Sequence, residues 1–564
     1  MSTNTITMAI NLSPAEKIKT KSDGLRGSLT ESLTDHLTGA LREDDQTLIK
    51  HHGMYQQDDR DLREERSQKK LEWLYSFMIR LRLPGGFLTA QQWIEMHHIA
   101  GEHSTGVIKI TTRQTVQLHG ILKSHLKPTL KAFAKERLDS IAACGDVNRN
   151  VTCAAHPLQS KLHEEVFKYA DKISSLALPK TNAYYEIWLD REPLLKKEAE
   201  IDPLYQDRYL PRKFKIAIAI PPNNDVDVFT NDIGLIAIIE NDQLKGFNIA
   251  IGGGLGTTHG NKETYPRLGT VIGFTDAEEK TLKVIYEIIT TQRDFGNRSD
   301  RKNARLKYTI DKMGIENFKK EVENRCGFHL EKPKEYTFND RSDYFGWQQN
   351  HEGKWYYTVF IENGRIADEK VSIKTALYEI AQTKKTNFRF TANQKLIIAD
   401  ILPADKNEVE SILKKYGLIE HTEKAMPMRR NAIACVALNT CPLALAEGQR
   451  YLPTLIGKIE PLLEKYHLQD DPISIRMTGC PNGCGRPYVA EIGLIGTSYG
   501  HYNLHLGGDR LGLRLNQKSF DAVDESTILT ILDKLLAAYA SVKNKFDSFG
   551  DFIHEHQELL TSIN

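Results

Sequence analysis

The sequence predicts an α+β chain with a three-domain body. That body is duplicated about a pseudo-twofold axis, and loops of both halves meet at a central site. Two observations carry this expectation. Two unrelated segments each recur, in the order A, B, A′, B′, and helical and strand periodicities alternate along the body.

The A copies are residues 77–121 and 359–401. Each reads as strand, turn, amphipathic helix and a second strand, ending in KITTRQ (109–114) and RFTANQ (389–394). The B copies are 215–256 and 473–512, each a strand, a polar turn, an IGLI strand and an alternating strand that ends in GG. Apolar spacing predicts helices near 162–177, 275–292, 316–325, 453–466 and 525–545. The expected organisation is a polar arm over 1–74, a central duplicated domain over 75–143 and 345–422, and B-type domains over 144–344 and 423–564. The arm, with its run HHGMYQQDDRDLREERSQKK, reads as a solvated helical segment that wraps a partner or the body, because it has too few apolar residues for a core of its own.

Bulk properties narrow the function. At 564 residues the chain is too long for one core. A net charge of +1, from 75 basic and 74 acidic residues, creates no global field for nucleic acid or membrane. No apolar run is long enough to span a bilayer, and the start MSTNTITMAINLSPAEK carries no export pattern. Seven cysteines, odd in number and sparse, read as reduced thiols, so a cytoplasmic location is expected.

Four of them form a pattern. Cys435 and Cys441 lie in C-x5-C, and Cys480 and Cys484 in C-x3-C within TGCPNGCGRP. The x5 spacing is long for a zinc knuckle, and a thioredoxin-like pair would be C-x-x-C. Soft thiolate ligands at varied spacings suit a cubane iron–sulfur cluster, with Gly479, Gly483 and Gly485 letting backbone approach sulfide closely. These residues rank a cluster first, zinc second and unrelated core thiols third. Cys144, Cys153 and Cys326 have no partner spacing and read as buried free thiols, Cys153 less firmly because it follows Arg149 closely.

This cysteine signature, with the duplicated halves, resembles the sirohaem-dependent sulfite and nitrite reductases. HHGMYQQDDRD, YLPRKFK and FGDF resemble more closely the branch formed by the haemoprotein (beta) subunits of assimilatory NADPH-sulfite reductases. The resemblance spans nearly the whole chain. It implies a [4Fe–4S] cluster on Cys435, Cys441, Cys480 and Cys484, with Cys484 also bridging to the sirohaem iron. It implies six-electron reduction of sulfite to hydrogen sulfide, in sulfate assimilation and cysteine biosynthesis.

Such chemistry needs cations, to hold a strongly hydrated anion and a macrocycle rimmed with carboxylates, and proton donors, because oxygen leaves as water. Arg80 and Arg82 flank a strand end, Arg149 lies in DVNRNVTC, and Arg212, Lys213 and Lys215 lie in LPRKFK. Alternation puts Lys213 and Lys215 on one strand face. Matching to the family places its sulfite-binding arginines on Arg80 and Arg149 and its lysines on Lys213 and Lys215. The same matching places sirohaem binding on Lys109, Arg113, Gln117, Arg212, Asn303, Arg305, Lys307 and Asn482. Lys109, Arg113 and Gln117 have the spacing of one strand face, and Arg82 reads as a solvated surface charge.

GGGLGTTHG (252–260) lacks G-x-G-x-x-G order and reads as a close-approach turn at the macrocycle. With no flavin or nicotinamide motif, electrons are expected from another protein, in this branch a diflavin NADPH-dependent flavoprotein (alpha) subunit docked on the arm. A sirohaem nitrite reductase forming ammonia is the near alternative, and a zinc-structured, non-catalytic binding protein the remote one.

Overall fold

The computed structural model describes residues 11–158, 160–191 and 201–563. The first half contains β1 (Met54–Asp58), β2 (Tyr75–Arg80), β3 (Phe87–Thr89), β4 (Ile108–Ile110), β5 (Val116–Ile121), β6 (Thr152–Cys153), β7 (Ile216–Ala219), β8 (Ile233–Glu240), β9 (Gln243–Ile251) and β10 (Thr270–Thr275). The second contains β11 (Gly346–Gln349), β12 (Trp355–Val359), β13 (Arg365–Ile366), β14 (Asn387–Phe390), β15 (Leu396–Ile401), β16 (Ile433–Ala434), β17 (Ile475–Thr478), β18 (Ile492–Ser498), β19 (His501–Leu506) and β20 (Gln517–Val523).

They form four five-stranded sheets that match in pairs. The A sheets run β1-β2-β5-β4-β13 and β11-β12-β15-β14-β3, and the B sheets β10-β9-β8-β7-β6 and β20-β19-β18-β17-β16. Each A sheet borrows its last strand from the other copy: β13 pairs with β4, and β3 with β14. The A copies are therefore one structural unit. In each B sheet the three strands at one end pair parallel (β6-β7-β8 and β16-β17-β18), and the two at the other end continue antiparallel (β9-β10 and β19-β20).

The same glutamine ties A to B in each half. Gln114 and Gln394 both have positive φ, at 51° and 66°. The Gln114 amide bonds both backbone groups of Cys153 at 2.7 and 2.8 Å, and the Gln394 amide bonds those of Ala434 at 3.0 and 3.2 Å. Two buried amide pairs are thus satisfied at each A–B junction.

The expected helices form at His163–Leu176, Glu278–Phe295, Ile315–Cys326, Leu452–Lys465 and Glu525–Val542. Each carries its apolar stripe toward a core.

The N-terminal segment is not a solvated arm. Residues 1–10 lie outside the described residues, but from residue 11 onward the segment packs on the body. Leu25, Leu29, Leu41, Leu48, Ile49 and Met54 are buried in the largest apolar cluster, shared with both A copies. Lys19 is fully buried, paired with Glu16 and Asp146 and donating to the Leu210 carbonyl. The segment wraps the body, one of the two expected alternatives, but it is not solvated, because its few apolar residues add to an existing core instead of building their own.

Candidate functional site

The expected basic residues approach the site on three elements. On the first A sheet, Arg80, Gln117 and Lys109 lie directly opposite one another across β2, β5 and β4, so their side chains share a face. The expectation of a single strand face is corrected here: Lys109 and Gln117 stand on adjacent strands, and Arg113 lies in the turn between them, because the chain reverses after Ile110.

Arg113 also does more than face a ligand. Its guanidinium donates to the carbonyls of Asn150 and Ile216 and to Asn231 Oδ1, which leaves Nε as the unpartnered donor. It braces three loops. Arg82, expected as a solvated surface charge, is instead largely covered: it forks onto Asp139 with distances of 3.1 and 2.6 Å and donates to Ser174.

The second element is the stretch before β7. Phe214 bridges to Asn148, so this stretch is extended, and Lys213 and Lys215 flank Phe214 on one face as alternation requires. Both lysines keep partial contact with solvent and are otherwise enclosed by protein. Burial, then Arg212, Arg305 and Arg149, push Lys213 down to about 7. Burial, then Lys213, Arg113 and Arg305, push Lys215 well below the ordinary lysine range. Burial and Arg305 lower Lys307 to about 7, and burial and Arg301 lower Arg212 to about 10. These cations repel one another, and the nearby carboxylates do not neutralise them.

The third element is the cysteine loop. Cys435 Sγ accepts from Gly479 N at 3.3 Å and Thr478 Oγ1 at 3.4 Å, and Cys480 Sγ lies 3.6 Å from the Asn482 amide. Burial raises Cys435, with Cys484 adding to the shift, and raises Cys441 and Cys480 to about 12. The four thiols sit within electrostatic reach of each other, and Cys484, the exposed one, is also within reach of Lys213 and Lys215. The 252–260 loop closes over this region. It connects two antiparallel strands and precedes no helix. Thr257 N donates to the Pro481 carbonyl, and Lys307 Nζ donates to the carbonyls of Gly254 and Gly256.

The donor set fits an anionic macrocycle and a cluster. Arg80 Nε and Arg113 Nε are buried donors without partners, and the acids nearest the expected cations, Asp146 and Asp232, are already engaged by Arg301 and Arg305. A zinc site would draw its thiolates to within about 3.8 Å of each other, given zinc–sulfur bonds near 2.3 Å. Among the described residues no three His, Cys, Asp or Glu side chains are grouped to hold a single metal ion. Four desolvated thiols at varied sequence spacings suit a cluster of several iron atoms.

Sequence reasoning missed four residues here. Tyr55, on β1, is hydrogen-bonded to Arg149, and the Lys50 ammonium lies 5.9 Å from the Tyr55 ring centroid. Burial and Arg301 lower Lys50. Cys144, a buried thiol as expected, accepts from Arg80 Nη1 at 3.2 Å. Asp232 pairs with Arg305. The available signal for the first two was position alone: HHGMY sits in the segment read as an arm. Cys153 is buried with its thiol pushed far up by burial, and Cys326 is half-buried.

Comparison with known proteins supplies the family. The nitrite/sulfite reductase ferredoxin-like half domain matches residues 74–136 and 348–416, one stretch in each A copy. The nitrite and sulphite reductase 4Fe-4S domain matches residues 168–330, in the first half, whereas the four cysteines lie in the second. The sulfite reductase [NADPH] hemoprotein beta-component of Leptospira biflexa is 64% identical, covering 96% of this chain and 97% of its own.

The chain belongs to the nitrite and sulfite reductase family. Its Staphylococcus haemolyticus relative of the same description is 50% identical over 96% of this chain and 94% of its own. The solved structure of Mycobacterium tuberculosis NirA covers 97% of each chain with a TM-score of 0.77. At 24% identity that likeness concerns the fold of the family, pseudo-twofold duplication included.

Proposed function

We propose that this chain reduces sulfite to hydrogen sulfide at a sirohaem joined through Cys484 to a [4Fe–4S] cluster held by Cys435, Cys441, Cys480 and Cys484. One observation carries the reading: Lys213 and Lys215, enclosed among other cations and without an acid partner among the described residues, lie within electrostatic reach of the exposed Cys484. When bound, the paired cofactors supply electrons to the substrate sulfur. Lys109, Arg113, Gln117, Arg212, Asn303, Arg305, Lys307 and Asn482 would hold the macrocycle by its carboxylates and rim.

Arg80 and Arg149 bind the anion with planar forks, which orient it better than point charges do. Lys213 and Lys215 carry the protons. A lysine brought near neutrality by burial and its neighbours donates and is reprotonated at working pH, whereas an ordinary one stays charged. Arg149 keeps its guanidinium placed through the Gly145 carbonyl at 2.8 Å and through Tyr55.

The relatives' printed names specify NADPH and a beta-component, which supports an alpha-component partner. We assign it as the diflavin electron donor, since this sequence shows no flavin or nicotinamide motif. Among the described residues no helix is long and apolar enough to cross a membrane; the proposed location is cytoplasmic, on the sparse, odd set of cysteines. The test is a visible spectrum of the purified chain, with sulfide and ammonia measured on sulfite and nitrite. Sirohaem absorbance with faster sulfide formation is expected. Faster ammonia formation would make it a nitrite reductase, and a colourless protein would end the proposal.

A further inference from the structure

Asp232 immediately precedes β8, is fully buried and takes up three donors. Arg305 reaches it through Nε at 3.1 Å and Nη2 at 2.7 Å, and the backbone N–H of Lys215 donates to it at 2.9 Å. The duplication provides an internal comparison. Glu491 holds the equivalent place before β18, and its carboxylate accepts from Ser474 N at 2.7 Å, Ser474 Oγ at 3.0 Å and Gly550 N at 3.1 Å. Ser474 is to β17 what Lys215 is to β7. Even the backbone carbonyls correspond: Asp232 O accepts from Gly252 N and Glu491 O from Gly507 N.

An acid at this place therefore has one duty common to both copies, satisfying the N–H that precedes an inner strand. In the first copy alone it carries a second. It holds the fork of Arg305 and the root of Lys215 with one carboxylate. The other acid of this region, Asp146, is engaged by Lys19 and Arg301. We infer that Asp232 is a positioning residue for the reaction, fixing Lys215 and Arg305 in one geometry against the substrate and the macrocycle. This rests on the reading that Lys215 delivers protons. A carboxylate shared between a planar guanidinium and a backbone N–H leaves neither lysine root nor arginine fork free to turn. Small displacements of such groups slow reactions on the order of 10- to 100-fold.

Two variants test it on the complete, cofactor-loaded chain. Asp232→Asn removes the charge at constant shape. Asp232→Glu keeps the charge but moves it by one methylene, and the second copy shows that Glu suits the common backbone duty. Both are expected to hold normal sirohaem and iron per chain, to lose on the order of 10-fold or more in kcat with KM for sulfite little changed, and to form less sulfide per electron pair consumed. Glu491→Gln is the control, losing thermal stability without that change in stoichiometry. Lys215→Met separates the two claims. If it behaves as wild type, the lysine reading fails. If it is impaired while both Asp232 variants keep wild-type kcat and stoichiometry, the positioning role is overturned. A rise in KM alone, or loss of sirohaem from both variants, would overturn it too, by giving Asp232 to anion or macrocycle binding.

Discussion

Asp227 and Arg486 occupy equivalent places in the two B copies, each six residues before its IGLI strand, and they pair with each other at 2.9 Å. Both have positive φ, 47° and 57°. Arg476 at 2.6 Å and Arg341 at 3.5 Å join the same carboxylate, and all four side chains are buried. Arg486, two residues after Cys484 in sequence, also donates to the Ala392 carbonyl. One ion cluster on the pseudo-twofold axis thus joins both B copies and the second A copy to the cysteine loop.

Asp227→Asn should leave buried arginines without a counter-charge. Breaking a buried pair costs about 3–5 kcal/mol. The expected outcome is a lower unfolding midpoint together with reduced iron per chain, because the Cys484 loop loses its anchor. Normal iron retention in a destabilised variant would separate this cluster from the cysteines.

Cys484→Ser should disturb both metal centres at once, read as loss of the coupled visible spectrum. Cys326→Ser should disturb neither, since Cys326 ends helix Ile315–Cys326 away from the other thiols. A normal spectrum for the Cys484 variant would show that another ligand bridges.

Arg149→Ala should mainly raise KM for sulfite, if its fork is used equally in ground and transition states. Lys215→Met should lower kcat by about two to four orders of magnitude and release partly reduced sulfur species. Arg82→Ala should change neither parameter and only lower stability, because its donors are spent on Asp139 and Ser174. Sulfide formed per electron pair is the deciding measurement, and a twofold loss at Lys215 would reduce it to a structural charge.

The lysines also predict a pH dependence. In the chain without sirohaem, Lys213 and Lys307 titrate near 7 against an ordinary 10.5. Between these values the unfolded chain binds more protons than the folded one, so stability should rise with pH from about 7 to about 10. In the loaded chain the macrocycle's carboxylates return Lys307 toward its ordinary range and lessen the slope, while Lys213 stays low for proton delivery. Urea midpoints across pH for both forms check this. Equal slopes would remove the carboxylates as partners of Lys307.

Much was legible from local pattern. The A and B repeats, the five expected helices and the C-x5-C and C-x3-C pairs are all written within short stretches, and periodicity reads short stretches well. The exchange of β3 and β13 between sheets was not legible, because a two- or three-residue strand pairs with residues far away in sequence. The burial of the N-terminal segment was hidden for a related reason: its composition is polar, and only the receiving core shows where Leu25 and Leu29 go.

By itself the sequence determined which residues carry charge and thiol, and the duplication that brings them to one axis. Only the tertiary structure decided how each cation is used. Arg113 spends its fork on backbone carbonyls, Arg82 on Asp139, and Arg305 on Asp232, while Lys213 and Lys215 stay without an acid partner. The physical reason is that a charged side chain's role follows from the groups it meets after folding, and those groups come from segments up to a hundred residues away or more. Spacing along the chain does not encode that meeting.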